Sequence, residues 1–556
     1  MDKDFFFKQV PNFTFDLGPA FATSHSDQYS SYLVANSNTV RTEVYAPEIN
    51  FYIVNSEDSL ERKKTTIQRL YAIRASLFDA CQQTELTVNI GRRVVIVAAE
   101  DQSVLTARLA EEGFTTFATT PDQVTSVRGS HGQFSLSVSS EQGDMLFETD
   151  QILWFDGPRA LTRRHGIFDT TGLSLEKTID TLLAGCGSKT SRNSIHYATA
   201  ICQFHHRRSV VCGQCAAICP TGAIFRHDGQ KELEFSAIDC IDCGRCVASC
   251  PTGAIDYATL PRAAFLRIAN IFKNNRVLVL AGSIDLKSLQ VRLAENVMPL
   301  VLDSADFLDE SHFLTLLQSS GYPLMLASNR LSPETASSVT FINSIFQKKY
   351  GRPAIFFCQD GVELTAAMNQ LSPFSDLAYD LDERSLSKRE IVAKRLGNLV
   401  GNDDYGKVST DSSLSYGSIA IDNNKCTLCL SCADACNTGA LTVHPEDNTL
   451  RFTAGLCTVC NYCQTTCPEE DCLRIERDQL VFSASSFNGK VMAQDEIFKC
   501  VECGVGFAPV KAVTKIASVM EPLFGNDHVR KKALYCCPDC KPKVMLQALQ
   551  TENIIR

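Results

Sequence analysis

Cys240-Ile241-Asp242-Cys243-Gly244-Arg245-Cys246-Val247-Ala248-Ser249-Cys250-Pro251 is the stretch from which the rest of the chain can be read. Three cysteines at i, i+3 and i+6 bend round one corner of an iron-sulfur cubane, and the fourth, followed by proline, turns away toward a neighbouring cluster. Such a run needs a partner run. Upstream the chain supplies Cys202, Cys212, Cys215 and Cys219-Pro220. Downstream it supplies a second pair: Cys426, Cys429, Cys432 and Cys436, then Cys457, Cys460, Cys463 and Cys467-Pro468. Four 4Fe-4S clusters are expected.

The pairing is reinforced by an internal repeat. Pro220-Thr-Gly-Ala-Ile224 recurs as Pro251-Thr-Gly-Ala-Ile255, and the same 31-residue offset separates Cys436 from Cys467. Two bacterial-type dicluster ferredoxin units follow from this spacing, and in such units the fourth ligand of each run is exchanged. In the first unit one cluster is assigned to Cys202, Cys212, Cys215 and Cys250, the other to Cys240, Cys243, Cys246 and Cys219. In the second unit the assignments are Cys426, Cys429, Cys432 and Cys467, then Cys457, Cys460, Cys463 and Cys436. Two departures stand out: nine residues intervene between Cys202 and Cys212 where two are usual, and Asn437 replaces the proline after Cys436. His205 and His206 lie in that long loop; a solvated pair is the simpler reading, a replacement ligand the alternative. The competing account of all sixteen cysteines, buried thiols or zinc knuckles, does not explain the repeat.

Near the end, Cys500-Val-Glu-Cys503-Gly and Cys537-Pro-Asp-Cys540 are two C-x2-C knuckles, the pattern of a closed tetrahedral thiolate site. Zinc is favoured and rubredoxin-type iron is the alternative, since both take these ligands. A structural metal would stabilise so small a module by about 10 kcal/mol or more. Residues 499–556 carry nine Lys or Arg against five Asp or Glu. That excess either balances the thiolates or docks an acidic partner surface. Cys81, Cys186, Cys358, Cys472 and Cys536 remain over and are read as structural thiols.

At 556 residues the chain exceeds a single core. Its net charge of -10 argues against a nucleic-acid surface. Twenty-five cysteines, twenty of them expected as thiolate ligands, call for a reducing compartment. The start, Met1-Asp-Lys-Asp-Phe-Phe-Phe, has no basic and apolar leader, Arg92-Arg93 is far from the terminus, and no apolar run approaches a membrane span. A cytoplasmic protein without direct membrane insertion is expected.

The expected fold is an α+β multidomain chain: α/β domains, two 2x4Fe-4S ferredoxin units and a C-terminal four-cysteine metal-knuckle module. Residues 1–190 form the N-terminal α/β domain, with a buried strand at 94–97, a helix at 101–112, a hairpin over 133–149 and a strand at 152–155. The loop after Val97 lacks the glycines of a dinucleotide site, so no bound nicotinamide or flavin is expected there. The first ferredoxin unit occupies 191–260, with a hairpin around Asp228-Gly229. Residues 261–398 alternate apolar strands with helices, the pattern of a doubly wound parallel sheet, without a phosphate loop or nucleophile elbow. Residues 399–418 read as a linker, since 12 of the 18 positions from 401 to 418 are Gly, Asn, Asp or Ser. The second ferredoxin unit spans 419–485 and the four-cysteine module 486–556.

From Asn424-Lys-Cys-Thr-Leu-Cys-Leu-Ser-Cys through Phe498-Lys-Cys-Val-Glu-Cys-Gly, together with the displaced Cys202 and the α/β insert, the chain resembles the cytoplasmic ferredoxin-type iron-sulfur proteins encoded beside bacterial formate dehydrogenases and their dedicated chaperones. The likeness covers roughly the last two thirds of the chain. It implies a role in formate metabolism, either passing electrons or helping to mature the molybdenum or tungsten enzyme. The partner it implies is a redox protein, the dehydrogenase or its chaperone. No nucleophile-base constellation is visible, which favours a non-catalytic carrier or an oxidoreductase subunit. A maturation or docking factor is the alternative, and a flavin oxidoreductase a third reading.

Overall fold

A computed structural model describes residues 3–9, 15–22, 32–140, 143–207 and 212–554, with side chains to 547. The chain divides into two compact units, one of residues 1–342 and 353–384, the other of 343–352 and 385–556.

In the first unit, residues expected as one α/β domain carry two separate parallel sheets. The first has the order Phe21–Ala22, Lys3–Phe6, Tyr32–Ala35, Val44–Tyr45. It is covered by the 21-residue helix Leu60–Ala80, whose Ile67, Leu70, Tyr71 and Ile73 are buried. The Tyr71 hydroxyl ties that helix to the sheet by donating to the Phe6 carbonyl at 2.9 Å.

The second sheet has the order Ile167–Phe168, Gln151–Trp154, Arg93–Val97, Thr115–Thr119, again all parallel. Its central strand is apolar from Val94 onward because both faces are covered. Val94 and Ile96 pack with Leu105 and Leu109 of helix Ser103–Glu111 and with Ile179 and Leu182 of helix Leu175–Gly185. Val95 and Val97 face Phe134, Leu136 and Val138 on the antiparallel layer of Val124–Ser130, Gln133–Ser140 and Gly143–Thr149. The turn expected at 141–142 lies outside the described residues. An antiparallel pair, Thr84–Ile90 with Gly187–Asn193, leads into the cysteine-rich region.

That region is a near-repeat in space. Ile195–Tyr197 pairs with Ile255–Tyr257, Ile224–His227 pairs with Glu232–Phe235, and two short helices, Gln214–Ile218 and Arg245–Ser249, pack together. Beyond it lies a four-stranded parallel sheet in the order Val297–Leu302, Arg276–Ala281, Leu324–Ala327, Ile355–Cys358, with helices Arg262–Ile271 and Glu310–Ser320 before and between its strands. Asp309 starts the latter helix by accepting from the Ser311 and His312 backbone N–H groups.

In the second unit, the segment 399–418 is not a linker. It contains strand Asp404–Ser409, paired with Gln479–Ser483, and it begins strand Gly417–Ile421, paired with Leu473–Arg477. What orders it is Arg389, on helix Lys388–Val400. Its guanidinium stacks 4.0 Å over the Tyr416 ring and donates to the Leu414 and Ser415 carbonyls. The second cysteine-rich region has the short helices Ser431–Asp434 and Tyr462–Thr466 and the three-stranded sheet of Leu441–His444, Thr449–Phe452 and Lys490–Gln494. The chain then forms a hairpin, Ile497–Lys499 with Gly506–Pro509, and helices Val510–Met520, His528–Ala533 and Lys541–Ile554. Among the described residues no helix is long and apolar enough to cross a membrane.

Candidate iron-sulfur and metal-binding sites

The ligand-spaced turns are curled by residues in the left-handed region. Asp242, Leu428 and Val459, each two positions after the first cysteine of its run, have φ of 55°, 49° and 45°; Leu430 and Asn461, each just after a second cysteine, have 66° and 72°. Leucine and β-branched valine rarely adopt this geometry, and such strain persists where surrounding structure and function require it. The curl aims backbone N–H groups at sulfur. Phe204 N–H donates to Cys202 Sγ at 3.4 Å, Ala223 N–H to Cys219 Sγ at 3.2 Å and Val459 N–H to Cys457 Sγ at 3.4 Å. Concave arrays of backbone donors of this kind suit anionic sulfur.

The sixteen thiols gather in crossed sets. Cys215 stands with Cys250, Cys212 and Cys202; Cys246 stands with Cys240, Cys243 and Cys219. Cys432 stands with Cys426, Cys429 and Cys467; Cys463 stands with Cys457, Cys460 and Cys436. The inner members of neighbouring sets also lie within each other's field, Cys215 with Cys246 and Cys463 with Cys432. Burial, reinforced by the other thiolates, pushes Cys215 and Cys246 well up and Cys432 to about 12. Burial also takes Cys457 to about 12, against the Val459 N–H and the nearby Arg389 charge. The thiolate repulsion that adds to burial at Cys215, Cys246 and Cys432 calls for a cation among the thiols of each set. Iron satisfies that need, so the donor sets fit iron-sulfur clusters.

The surroundings are not legible in the spacing. Tyr197 brings its phenol against Cys202, and burial followed by that contact raises its pKa. Arg262, in the field of Cys250, is neutralised by Asp309 at 2.8 Å and Asp256 at 3.2 Å. The Cys243-Gly244 turn is seated on the loop that follows strand Val297–Leu302. Ser304 donates to the Cys243 carbonyl at 2.9 Å, and a Cβ on Gly244 would come within 2.5 Å of Phe307. His206 faces Glu232 at 3.9 Å, while its ring lies 3.9 Å from that of His205, which also meets Tyr197 edge-on. Residues 208–211 of that loop lie outside the described residues.

Cys500, Cys503, Cys537 and Cys540 place their sulfurs all within 4.8 Å of one another. Burial opposes ionisation of Cys500, but the backbone N–H groups of Cys537, Cys503 and Glu502 outweigh it and bring that thiol down to about 6. Cys540 is pushed up to about 12, first by its contact with Cys503. Four cysteine sulfurs this close together, with backbone N–H groups directed at Cys500, fit a single tetrahedral ion. A separate cavity of about 1000 Å³ opens at the carboxyl end of strand Arg276–Ala281, beside helix Pro47–Asn55, and contains none of these thiols.

No curated protein sequence matches the chain. The family described as a 4Fe-4S dicluster domain matches residues 198–254, so this part of the first unit is a ferredoxin-type iron-sulfur domain.

Proposed function

We propose that the chain is a multi-cluster electron carrier in which the sixteen cysteines hold four 4Fe-4S clusters. Bound cubanes supply one-electron stations. The observation that carries the reading is the crossing of the thiol sets, which puts inner cysteines of adjacent sets within each other's field, as with Cys215 and Cys246 or Cys432 and Cys463. The chain's own residues hold each station in place: the curled turns direct N–H groups at sulfur, and Leu441, Leu450, Phe452 and Leu473 form one apolar cluster with Cys426, Cys432 and Cys457 in the second unit. The C-terminal four-cysteine site is assigned to zinc, with rubredoxin-type iron as the alternative. Anaerobic reconstitution tests the reading. About sixteen cluster irons and one further ion per chain are expected, with paramagnetic signals on reduction. A protein that takes up iron but gives no reducible cubane signal sinks it.

The physiological partner we propose is a formate dehydrogenase system in the cytoplasm. A second reading, a maturation or docking factor for that enzyme, draws on the C-terminal module. There Ile516, Val519 and Leu523 form an exposed stripe, 56%, 59% and 73% accessible, beside Lys515. Deleting the gene separates the two. If the dehydrogenase is made with its metal cofactor loaded but is uncoupled from its acceptor, the carrier reading stands and the maturation reading fails.

A further inference from the structure

The fourth ligand run ends differently from the other three. After the last cysteine, the sequences are Pro-Thr-Gly-Ala-Ile224, Pro-Thr-Gly-Ala-Ile255, Asn-Thr-Gly-Ala-Leu441 and Pro-Glu-Glu-Asp-Cys472. Five positions past the final ligand, three runs bury an aliphatic side chain: Ile224 is 7% exposed, Ile255 1% and Leu441 4%. The fourth buries Cys472 at 3%.

Cys472 also lines the small cavity bounded by Cys426, Cys429, Cys432 and Cys467, so five thiols surround a space for which four suffice. Its sulfur lies beside those of Cys426 and Cys467. The backbone fixes it there. Asp422 N–H donates to the Cys472 carbonyl at 2.9 Å, and the Asp422 carbonyl accepts from Cys426 N–H at 2.9 Å and from the Cys472 thiol at 3.7 Å. One residue thus anchors both the first cysteine of the set and the extra one. The loop between Cys467 and Cys472 is held as well, since Glu469 accepts from the Thr427 hydroxyl at 2.9 Å and pairs with Lys515.

We infer that Cys472 is a reserve ligand for the cluster of Cys426, Cys429, Cys432 and Cys467, able to take the iron that Cys467 holds. The inference rests on the reading of that set as a cluster site. In the exchange the bond from Cys467 Sγ to its iron would break and that thiolate would take up a proton, while the Cys472 S–H gives up its own to water and Cys472 Sγ bonds the freed iron; one thiolate replaces another and no electron changes hands. Three of the four sets have an aliphatic residue where this thiol stands and offer no such substitute.

The test compares iron content and the reduced paramagnetic spectrum of full-length, anaerobically reconstituted variants. Cys467→Ala is expected to fold, keep wild-type iron and show an altered signal from one cluster. Cys467→Ala with Cys472→Ile, which restores the aliphatic residue of the sibling runs, is expected to lose about four irons. Cys472→Ile alone is expected to keep wild-type iron, and Cys436→Ala, whose neighbour is Leu441, to lose about four. The inference is overturned if Cys467→Ala loses as much iron as the double variant, if it fails to fold while Cys472→Ile folds, or if Cys472→Ile alone loses a cluster. A wild-type protein with no cluster in the second unit would overturn the underlying reading as well.

Discussion

Arg245, carried on the turn between Cys243 and Cys246, closes a two-point ion pair with Glu334 at the start of helix Pro333–Tyr350, both N to O distances being 3.0 Å. Glu334 is 6% exposed at its side chain and Arg245 25%. The pair clamps a ligand-bearing turn to the α/β layer and keeps the arginine charge in the field of Cys243.

Replacing Glu334 by alanine leaves that arginine half-desolvated and the turn unclamped. Breaking a buried pair costs about 3–5 kcal/mol, and the exposure of Arg245 reduces the expectation here to about 1–3 kcal/mol. Urea unfolding of the loaded protein should show that loss, with faster release of iron from the first unit. Glu334→Gln, which keeps one acceptor, should fall between. If Glu334→Ala unfolds at the wild-type urea concentration, the clamp contributes nothing.

The crossed sets make a prediction about which cluster each cysteine serves. Cys219→Ala should disturb the cluster of Cys240, Cys243 and Cys246 first, although Cys219 belongs in sequence with Cys212 and Cys215. Cys250→Ala should disturb the cluster of Cys202, Cys212 and Cys215. Resolved paramagnetic signals of the two single variants, with intact circular dichroism, distinguish them. Damage confined to the cluster nearest in sequence would refute the crossing.

His131 is 1% exposed and neither ring nitrogen has a hydrogen-bond partner among the described residues. Burial chiefly, aided by the charges of Lys189 and His165 and opposed by those of Asp239 and Asp150, holds its pKa down at about 4. In the unfolded chain it titrates near 6.5. Between these values the unfolded state binds a proton that the folded state refuses, so stability is whole above pH 6.5 and falls as pH drops toward 4. The full loss is roughly 3 kcal/mol. His131→Leu removes the titrating group at similar volume and should flatten the decline between pH 6.5 and 4 in denaturant midpoints. An unchanged slope would exclude His131 as its source.

How much of this can be read from the residues follows from the range of the interactions involved. Strand Arg93–Val97 is visible as an apolar run because two cores need its two faces, a demand that acts within five residues. The ligand runs are visible because coordination fixes the spacing of neighbours. Arg389 is not. In Ser-Lys-Arg-Glu-Ile nothing distinguishes it from its charged neighbours, yet it is 1% exposed and orders a segment 25 residues downstream. The composition of 399–418 records turns and strand ends, which use the same residues as a linker. Cys472 reads in the sequence as a structural thiol, because its meaning appears only when its position is compared across four runs and then found beside Cys426.

The C-terminal module should be the part of the chain most dependent on its ion. Its buried cluster consists of Cys500, Ala533, Cys536, Cys537, Cys540 and Val544, so four of the six residues are cysteines and only Ala533 and Val544 are aliphatic. Val501 and Val505, next to the first knuckle, are 52% and 60% exposed and add little burial. An apolar core this small cannot offset the backbone entropy of ordering the hairpin and helices. Ion binding at about 10 kcal/mol or more can. Cys503→Ser should therefore lower the metal content by one ion per chain and expose helix Val510–Met520 to proteolysis, while the first unit keeps its cluster absorption. Mild chelation of the wild-type protein should reproduce the same cleavage, and re-addition of zinc should reverse it. If the metal-free module resists protease as the loaded one does, its fold is held by something other than the four thiolates.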